Sequence, residues 1–215
     1  VAHAHIVTTT THKTLRGPRG GMVLCDAEFA ETLDRGCPLV LGGPLPNMMA
    51  AKAVAFKEAL APAFFEYAHN VANNAATLAS ELSRRGAQII SGGTDNHLMV
   101  VDVRPFGLTG RQAESAMRAA GVTLNRNIIP FDPNGAWYTS GLRIGTPALT
   151  TLGMRTDEMK EIADMIIDVL SNTRAIEGSK AKFELDPLAQ ERTNKRVADL
   201  LALHPLYEGV LPSEI

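Results

Sequence analysis

The sequence predicts a protein of mixed α/β class, and two parts of the chain carry that prediction. Near the start, residues 3–9 alternate and are rich in β-branched side chains, and residues 21–25 form a short apolar segment; both favour strands, the second of them buried. Asp26 can cap a helix that Gly36 and Pro38 should end. In the second half of the chain, strand-like and helix-like segments alternate, as in a small sheet covered by helices.

The middle of the chain is predicted to be helical. Apolar residues recur at helical spacing over 47–86, and Pro62 should break that stretch, so we predict two domains, 1–62 and 63–215. The later segments comprise predicted helices over 109–120, 156–170 and 186–203, and predicted strands over 88–91, 97–103, 121–124 and 142–144. Residues 125–138, rich in Asn, Pro and Gly, are predicted to form a loop.

Composition excludes several classes of protein. The 215 residues are 45% hydrophobic and 20% charged with a net charge of −2, which attracts neither nucleic acid nor a membrane surface. The spacing of Cys25 and Cys37 matches no metal or redox motif, so we expect free thiols in a reducing compartment, the cytoplasm. His3 and His5 share a face of the predicted strand, but a third ligand is missing, so we predict no metal site.

The strongest functional signal lies in residues 8–21. A run of threonines leads into Lys13, and a glycine-rich turn with Arg16 and Arg19 follows. Hydroxyl and arginine neighbours disfavour the ammonium form of a lysine, and a neutral amine condenses with an aldehyde. This pattern indicates a Schiff-base lysine for pyridoxal phosphate. The turn lacks the Gly-Lys-Ser/Thr ending of a nucleotide phosphate loop, which excludes that class.

This lysine motif resembles that of serine hydroxymethyltransferases, which are folate-linked enzymes that use pyridoxal phosphate. The resemblance extends along nearly the whole chain, through segments at 42–45, 51–56, 92–98 and 139–148. It implies the aspartate-aminotransferase type of fold (fold type I), with 1–62 as the end of the large cofactor domain and 63–215 as an α+β small domain. Roughly the first half of the family's chain is missing by this resemblance, so we expect a fragment that is poorly active alone.

The resemblance also implies a reaction and partners. The enzyme would transfer the hydroxymethyl group of L-serine to tetrahydrofolate, giving glycine and 5,10-methylenetetrahydrofolate, in a homodimer or homotetramer with shared active sites. Two alternatives stay open at this point. One is a related enzyme, such as an α-methylserine hydroxymethyltransferase or a threonine aldolase. The other is a truncated product that acts as a non-catalytic dimerisation partner.

Four residues of the lysine motif receive candidate roles, that of Arg19 from the resemblance. Lys13 would hold pyridoxal phosphate covalently, and Thr10 would hydrogen-bond the lysine amine or the cofactor. Arg19 would help to keep the lysine neutral. His12 either positions the cofactor or is a packed histidine with a satisfied ring, and both interpretations remain open.

Gly42 and Gly43 precede a predicted helix, where backbone N–H groups suit a phosphate. In the family this pair reaches the cofactor phosphate of the neighbouring subunit, and a plain helix-start turn is the alternative. The Gln and His that commonly flank the pair are replaced here by Leu41 and Asn47, so the polar contacts of those two positions change.

Arg143 lies in the segment Thr-Ser-Gly-Leu-Arg-Ile-Gly-Thr-Pro, whose arginine binds the substrate α-carboxylate in the family. A planar guanidinium matches a carboxylate bidentately, and a structural salt bridge is the alternative. For folate, Asn127 matches an asparagine that contacts the pterin ring. Gly135, Ala136 and Trp137 stand where the family commonly has Ser-Pro-Phe, so we expect a changed folate loop.

Overall fold

The computed structural model describes residues 3–206. The chain divides into two compact units, residues 1–68 and residues 69–215, and the boundary between them falls within one helix. The assignment of 1–62 and 63–215 to a cofactor domain and a small domain stays a prediction. No helix in the described part of the chain is long and apolar enough to cross a membrane.

An antiparallel hairpin carries the lysine motif in the first unit. Strand β1 (Ile6–Thr10) pairs with β2 (Gly21–Cys25), and residues 11–20 form the loop between them. β2 has the predicted bounds, but the prediction that it is buried is wrong. Val23 and Leu24 are each 40% exposed, and neither strand of this two-stranded sheet contains a buried residue.

The start of the chain differs from its prediction. His3 and His5 lie in a turn and a bend before β1, so the shared strand face inferred for them is wrong. Nowhere in residues 3–206 do three or more His, Cys, Asp or Glu side chains come together as a metal site would require.

Three helices follow the hairpin. They are α1 (Ala27–Leu41), α2 (Pro46–Ala59) and α3 (Pro62–Arg84), the last of which continues into the second unit. The predicted end of α1 at Gly36 and Pro38 is wrong. The helix ends at Gly42, whose positive φ of 78° is readily adopted only by glycine, and Pro38 lies inside the helix, in its last turn.

The second unit contains a four-stranded antiparallel sheet in the order β3–β4–β6–β5. Its strands are β3 (Gln88–Ile89), β4 (Leu98–Asp102), β5 (Asn125–Asn127) and β6 (Gly141–Gly145). The strand predicted at 121–124 is wrong. Gly121 and Val122 instead close the preceding helix by donating to the carbonyls of Arg118 and Met117, so pairing starts only at Asn125.

The described part of this unit also contains five further α-helices and a second hairpin. They are α4 (Gly110–Ala119), α5 (Gly135–Tyr138), α6 (Pro147–Thr151), α7 (Thr156–Ser171), α8 (Pro187–Leu203), β7 (Thr173–Ala175) and β8 (Phe183–Leu185). The predicted capping box of α4 is confirmed, since Gln112 N donates to Thr109 Oγ1 and Thr109 N donates to Gln112 Oε1. The hairpin was not predicted.

The hydrophobic core lies in the second unit. Leu82 of α3, Met117 of α4 and Leu142 of β6 are fully buried there, whereas α1 contains no buried residue. Along β6, Leu142 and Ile144 point into the core, so the alternation of a strand turns Arg143 to the opposite face. The core therefore determines which side of the sheet presents that guanidinium.

Candidate active site

Hydrogen bonds at the base of the lysine loop hold it closed. Thr11 is fully buried; its N–H donates to Gly20 O at 3.0 Å and its Oγ1 donates to Pro18 O at 2.7 Å. His12 Nδ1 lies 3.3 Å from Gly20 N and 3.2 Å from Gly20 O. The ring of His12 is thus hydrogen-bonded to the backbone of Gly20, as a packed histidine requires. A contact between His12 and a cofactor stays a prediction.

Two glycines let helix α2 pack closely against this loop. A Cβ at Gly17 would lie 2.8 Å from Thr11 O and 3.0 Å from Ala55 Cβ. A Cβ at Gly20 would lie 2.9 Å from the side chain of Lys52, whose Nζ donates to Gly21 O at 2.9 Å. The backbone of Thr11 and the side chain of Ala55 are the physical reason for glycine at position 17, whereas at position 20 the neighbour is the flexible end of Lys52, which is able to move aside.

Lys13 is exposed in the loop, and its Nζ has no hydrogen-bond or ion-pair partner in the part of the chain that the structure describes. Arg16 N donates to Lys13 O at 2.9 Å, and Arg16 has a left-handed φ of 55°. Its guanidinium lies 4.0 Å from the ring centroid of Tyr67 and 5.6 Å from that of Phe64. Sequence reasoning missed this stacking, because the rings lie far along the chain from Arg16.

The remaining residues predicted to bind cofactor lie at the end of β1, in the lysine loop and after α1. Thr10 is the last residue of β1, and Arg19 is exposed in the loop. Gly42 N donates to Pro38 O at 3.1 Å, so that N–H is already used to close α1. A Cβ at either Gly42 or Gly43 would meet nothing within 4 Å, which leaves their backbone open to approach.

Arg143 occupies the open face of the four-stranded sheet. It is exposed and lies opposite Val100 on one side and Asn125 on the other. Its guanidinium has no ion-pair partner within residues 3–206, so the alternative of a structural salt bridge is not observed there. An unpaired guanidinium on an open sheet face is able to receive a carboxylate.

A cavity of about 540 Å³ lies at the β5 edge of the sheet. Its lining residues come from α4, β5 and the chain leading into β6: Glu114, Asn125, Arg126, Asn127, Ile128, Ala136 and Thr139. It brings together Asn127 and Ala136, two of the four residues predicted to bind folate; Gly135 and Trp137 are not among the lining residues. Glu114, buried and ion-paired with Arg126, was missed because a helical glutamate has no distinctive sequence signal.

Thr139 combines two unfavourable features in the wall of this cavity. Its φ is 54°, a left-handed value that a β-branched residue rarely adopts, and its Oγ1 is buried without a hydrogen-bond partner among the described residues. Each feature costs on the order of 1–3 kcal/mol. Thr139 Oγ1 lies against Gly110, where a side chain would not fit. Such concentrated strain is typical of functional sites.

Asp132 organises the chain between β5 and β6. Its carboxylate accepts hydrogen bonds from the backbone N–H groups of Ile129, Asn134 and Ser140, at 3.2, 2.8 and 2.8 Å, and from Ser140 Oγ at 2.7 Å. Burial by itself would raise the pKa of Asp132, but these hydrogen bonds outweigh it and hold that pKa below its ordinary value. The charged carboxylate therefore stabilises the turn that presents Ala136 to the cavity.

The match to known proteins agrees with this geometry. The model of the family described as serine hydroxymethyltransferase matches residues 1–166 of the chain. The chain belongs to the serine hydroxymethyltransferase family. The resemblance inferred from the lysine motif is thereby confirmed, and so is the expected α/β class, here with antiparallel sheets.

Curated serine hydroxymethyltransferases match almost the entire chain. The protein of that name from Salinispora tropica is 59% identical over 215 residues, covering 98% of this chain and 45% of the relative. Those from Mycolicibacterium smegmatis and Treponema pallidum are 56% and 58% identical, covering 98% and 96% of this chain but 43% and 37% of the relatives. The chain therefore spans less than half the length of these serine hydroxymethyltransferases.

Proposed function

We propose that the protein carrying this chain transfers the hydroxymethyl group of L-serine to tetrahydrofolate, giving glycine and 5,10-methylenetetrahydrofolate, with pyridoxal phosphate as cofactor. The observation that carries the proposal is the exposed Nζ of Lys13, which is unpartnered among residues 3–206. Thr11 and Arg16 are engaged in holding the loop, so the loop presents Lys13. The names of the curated relatives support the same reaction.

The residues of the first unit suit pyridoxal phosphate. Lys13 would hold the cofactor covalently, with Thr10 and His12 beside it and Arg19 supplying positive charge. When bound, pyridoxal phosphate supplies an electron sink for charge that develops at the α-carbon of the amino acid. The open backbone at Gly43 suits the phosphate of a neighbouring copy, whereas Gly42 contributes space rather than its N–H.

Arg143 would bind and orient the amino acid. Its guanidinium is exposed and has no carboxylate partner in the described part of the chain, so a substrate α-carboxylate meets no competitor there. A bidentate pair fixes the orientation of the substrate as well as its affinity. Lysine at this position would keep the charge but lose the planar fork.

The cavity at the β5 edge would receive part of the folate. Asn127 Nδ2 donates to Ile128 O at 2.7 Å, which leaves its side-chain oxygen available as an acceptor for ring N–H groups of a pterin. Ala136 gives the cavity an apolar contact, and Gly135 and Trp137 on either side of it complete the proposed folate loop. The volume of about 540 Å³ is within the usual range for a small-molecule site.

Oligomerisation is part of the proposal. Leu39, Val40, Leu41 and Leu45 are 85%, 80%, 79% and 63% exposed, and apolar side chains concentrated in this way are typical of a protein–protein interface. We propose that a second copy covers them in a homodimer or homotetramer. The two unpaired cysteines suit a reducing compartment, for which we propose the cytoplasm.

A related activity is the second candidate. Gly135, Ala136 and Trp137 replace the Ser-Pro-Phe common in the family, which favours a shifted preference such as α-methylserine. An α-methylserine hydroxymethyltransferase and a threonine aldolase are the related enzymes to be distinguished from the proposed one. Reaction rates on serine, α-methylserine and allo-threonine, measured with and without tetrahydrofolate, distinguish the three. A non-catalytic dimerisation partner would keep its biological effect in Lys13→Ala.

The first test is the absorbance spectrum of the chain with pyridoxal phosphate, before and after borohydride. We expect a cofactor band that borohydride bleaches in the wild type and in Lys57→Ala, whose lysine is exposed on α2, but not in Lys13→Ala. A band of equal strength in Lys13→Ala would refute the assignment. Turnover by this chain alone is expected to be low, since it spans less than half the length of its relatives.

A further inference from the structure

Arg143 lies at the point where β6 loses one of its two neighbouring strands. It is paired with Val100 of β4 and with Asn125, the first residue of β5. Beyond Arg143, among the described strands, β6 is paired with β4 alone, up to the pair of Gly145 and Leu98. A strand without a neighbour on one side leaves a row of backbone N–H and C=O groups unpaired there. The position of Arg143 therefore depends on what holds the end of β6.

The end of β6 is held by Thr146, which follows the strand directly and is fully buried. The N–H of Thr146 donates to His97 O at 3.1 Å, in the segment that leads into β4. Its Oγ1 donates to Val71 O in α3 at 2.8 Å. One residue thus connects the end of β6 both to the chain before the neighbouring strand and to a helix.

Thr150 and Asn74 form a second connection between α3 and the chain that leaves β6. Thr150 Oγ1 donates to Thr146 O at 2.9 Å and accepts a hydrogen bond from Asn74 Nδ2 at 2.9 Å. Asn74 Nδ2 also donates to Met154 O at 3.0 Å, so both N–H groups of this amide are used. We call Asn74, Thr146 and Thr150 the buried clamp, since they are 1%, 0% and 5% exposed.

The buried clamp is polar at a place where apolar side chains would also fill the core. Asn74 Oδ1 is buried without a hydrogen-bond partner among the described residues, which costs free energy that an apolar residue would avoid. In return, hydrogen bonds have a preferred distance and angle, whereas apolar packing tolerates shifts of its neighbours. Side chains of a binding site must be held within about 0.5 Å of their productive geometry. A directional clamp provides that precision.

We propose that the buried clamp positions Arg143 for the α-carboxylate of the amino acid, and this proposal rests on the proposed function. The three clamp residues are buried, so they act through β6 and not by contact with the substrate. Thr146 follows β6 directly, and a shift there moves the backbone from which the guanidinium of Arg143 extends. A displaced guanidinium keeps its charge but loses the two parallel hydrogen bonds that orient a carboxylate.

An NMR titration of the chain without cofactor tests the effect on carboxylate binding. The probes are L-serine and L-serinamide, which has no carboxylate. The affinity for L-serine should fall at least about fivefold in Thr146→Val, which loses the hydroxyl, and stay within about twofold of wild type in Thr146→Ser, which keeps it. The affinity for L-serinamide should change in neither variant. An unchanged affinity of Thr146→Val for L-serine, or an equal loss for L-serinamide, overturns the proposal.

Thr150→Val and Thr151→Val form a matched pair of variants. Both hydroxyls donate to the carbonyl four residues earlier at 2.9 Å, but Thr151 is exposed and lies outside the buried clamp. Hydrogen exchange of the Thr146 amide should be at least about fivefold faster in Thr150→Val and within about twofold of wild type in Thr151→Val. Equal exchange rates in the two variants would show that Thr150 and Asn74 do not hold the end of β6.

Together, the two measurements separate this proposal from the proposed function. If both hold, wild type prefers L-serine to L-serinamide, and Thr146→Val and Thr150→Val lose that preference while their circular dichroism spectra equal that of wild type. If these variants keep the preference, the clamp proposal is wrong and the proposed function stands. If wild type has no preference, the proposed role of Arg143 fails for this chain, and the exchange of the Thr146 amide alone decides whether the clamp holds β6.

Discussion

Asp132 determines the path of the chain between β5 and β6 because one carboxylate accepts four hydrogen bonds there. The loop predicted over 125–138 is only partly right, because strand β5 and helix α5 lie at its two ends, and the sequence patterns do not say which residue organises the chain between them. The fold brings Ser140 back to Asp132, and the charged carboxylate is then preferred over the protonated one. The ionised carboxylate of Asp132 thus helps to hold the segment that contributes Ala136 and Thr139 to the cavity wall.

The pKa of Asp132 predicts a pH dependence of stability. Because its folded pKa is depressed, the stabilising contribution is fully present above the unfolded value of 3.8 and is lost as pH falls through the lower folded pKa. Asp132→Asn should cost about 1–3 kcal/mol of unfolding free energy at neutral pH and flatten the acid slope. Urea unfolding from pH 7 to pH 3 measures both effects.

The control for that prediction is Asp157→Asn, on the surface of α7. The Lys160 ammonium holds the pKa of Asp157 below its ordinary value, but this pair is exposed and solvent screens it. Its effect on unfolding should be clearly smaller than that of Asp132→Asn. Equal effects would mean that general surface charge, rather than the hydrogen bonds of Asp132, sets the acid stability.

Gly110 is predicted to be intolerant of any side chain. A Cβ there would lie against Thr139 Oγ1 and 2.7 Å from Gly141 O, so Gly110→Ala should destabilise the protein by about 1–3 kcal/mol. Gly36→Ala is the matched substitution inside α1, where a Cβ meets nothing within 4 Å, and it should stabilise by about 0.5–1 kcal/mol. Denaturant midpoints of the two variants on opposite sides of wild type would agree with this prediction.

At the scale of elements, helix ends were predicted best where a side chain caps the helix. Asp186 accepts hydrogen bonds from Leu188 N at 2.8 Å and Ala189 N at 3.1 Å, and α8 begins where that cap predicts. The end of α1 was missed because glycine and proline do not by themselves end a helix. The helix ends at the glycine that adopts a positive φ, and the surrounding structure decides which glycine that is.

The cap of α8 is testable by substitution. Asp186→Ala should lower the unfolding free energy by about 1 kcal/mol because two helix N–H groups lose their acceptor, whereas Asp186→Asn keeps an acceptor and should lose less. Urea denaturation monitored by circular dichroism compares the two variants. An alanine variant as stable as wild type would show that water or a neighbouring group replaces the cap at no cost.

At the scale of the whole molecule, burial is unequal between the two units. Nearly all of the buried hydrophobic residues belong to residues 69–206, and in the first unit only Ala55 and Tyr67 are buried among the described apolar side chains. A unit with few buried apolar contacts opens at low free energy cost. The lysine loop therefore lies in the less protected part of the chain.

Native-state hydrogen exchange tests this difference directly. Backbone amides of β4 and β6 should exchange only through global unfolding, while those of β1 and β2 should exchange through smaller openings, with lower protection. Protection measured on the chain without cofactor provides the comparison. Equal protection of the two sheets would contradict the expected difference.

The sequence by itself determined the family, the lysine motif and the capped helices α4 and α8, because each is encoded by residues adjacent in the chain. It did not determine the exposure of β2, the missing strand at 121–124 or the residues around Asn127. Those depend on contacts between residues far apart in sequence, as does the stacking of Arg16 on Tyr67. Only the tertiary structure decided that Arg143 faces outward, because its neighbours in β6, Leu142 and Ile144, are buried in the core.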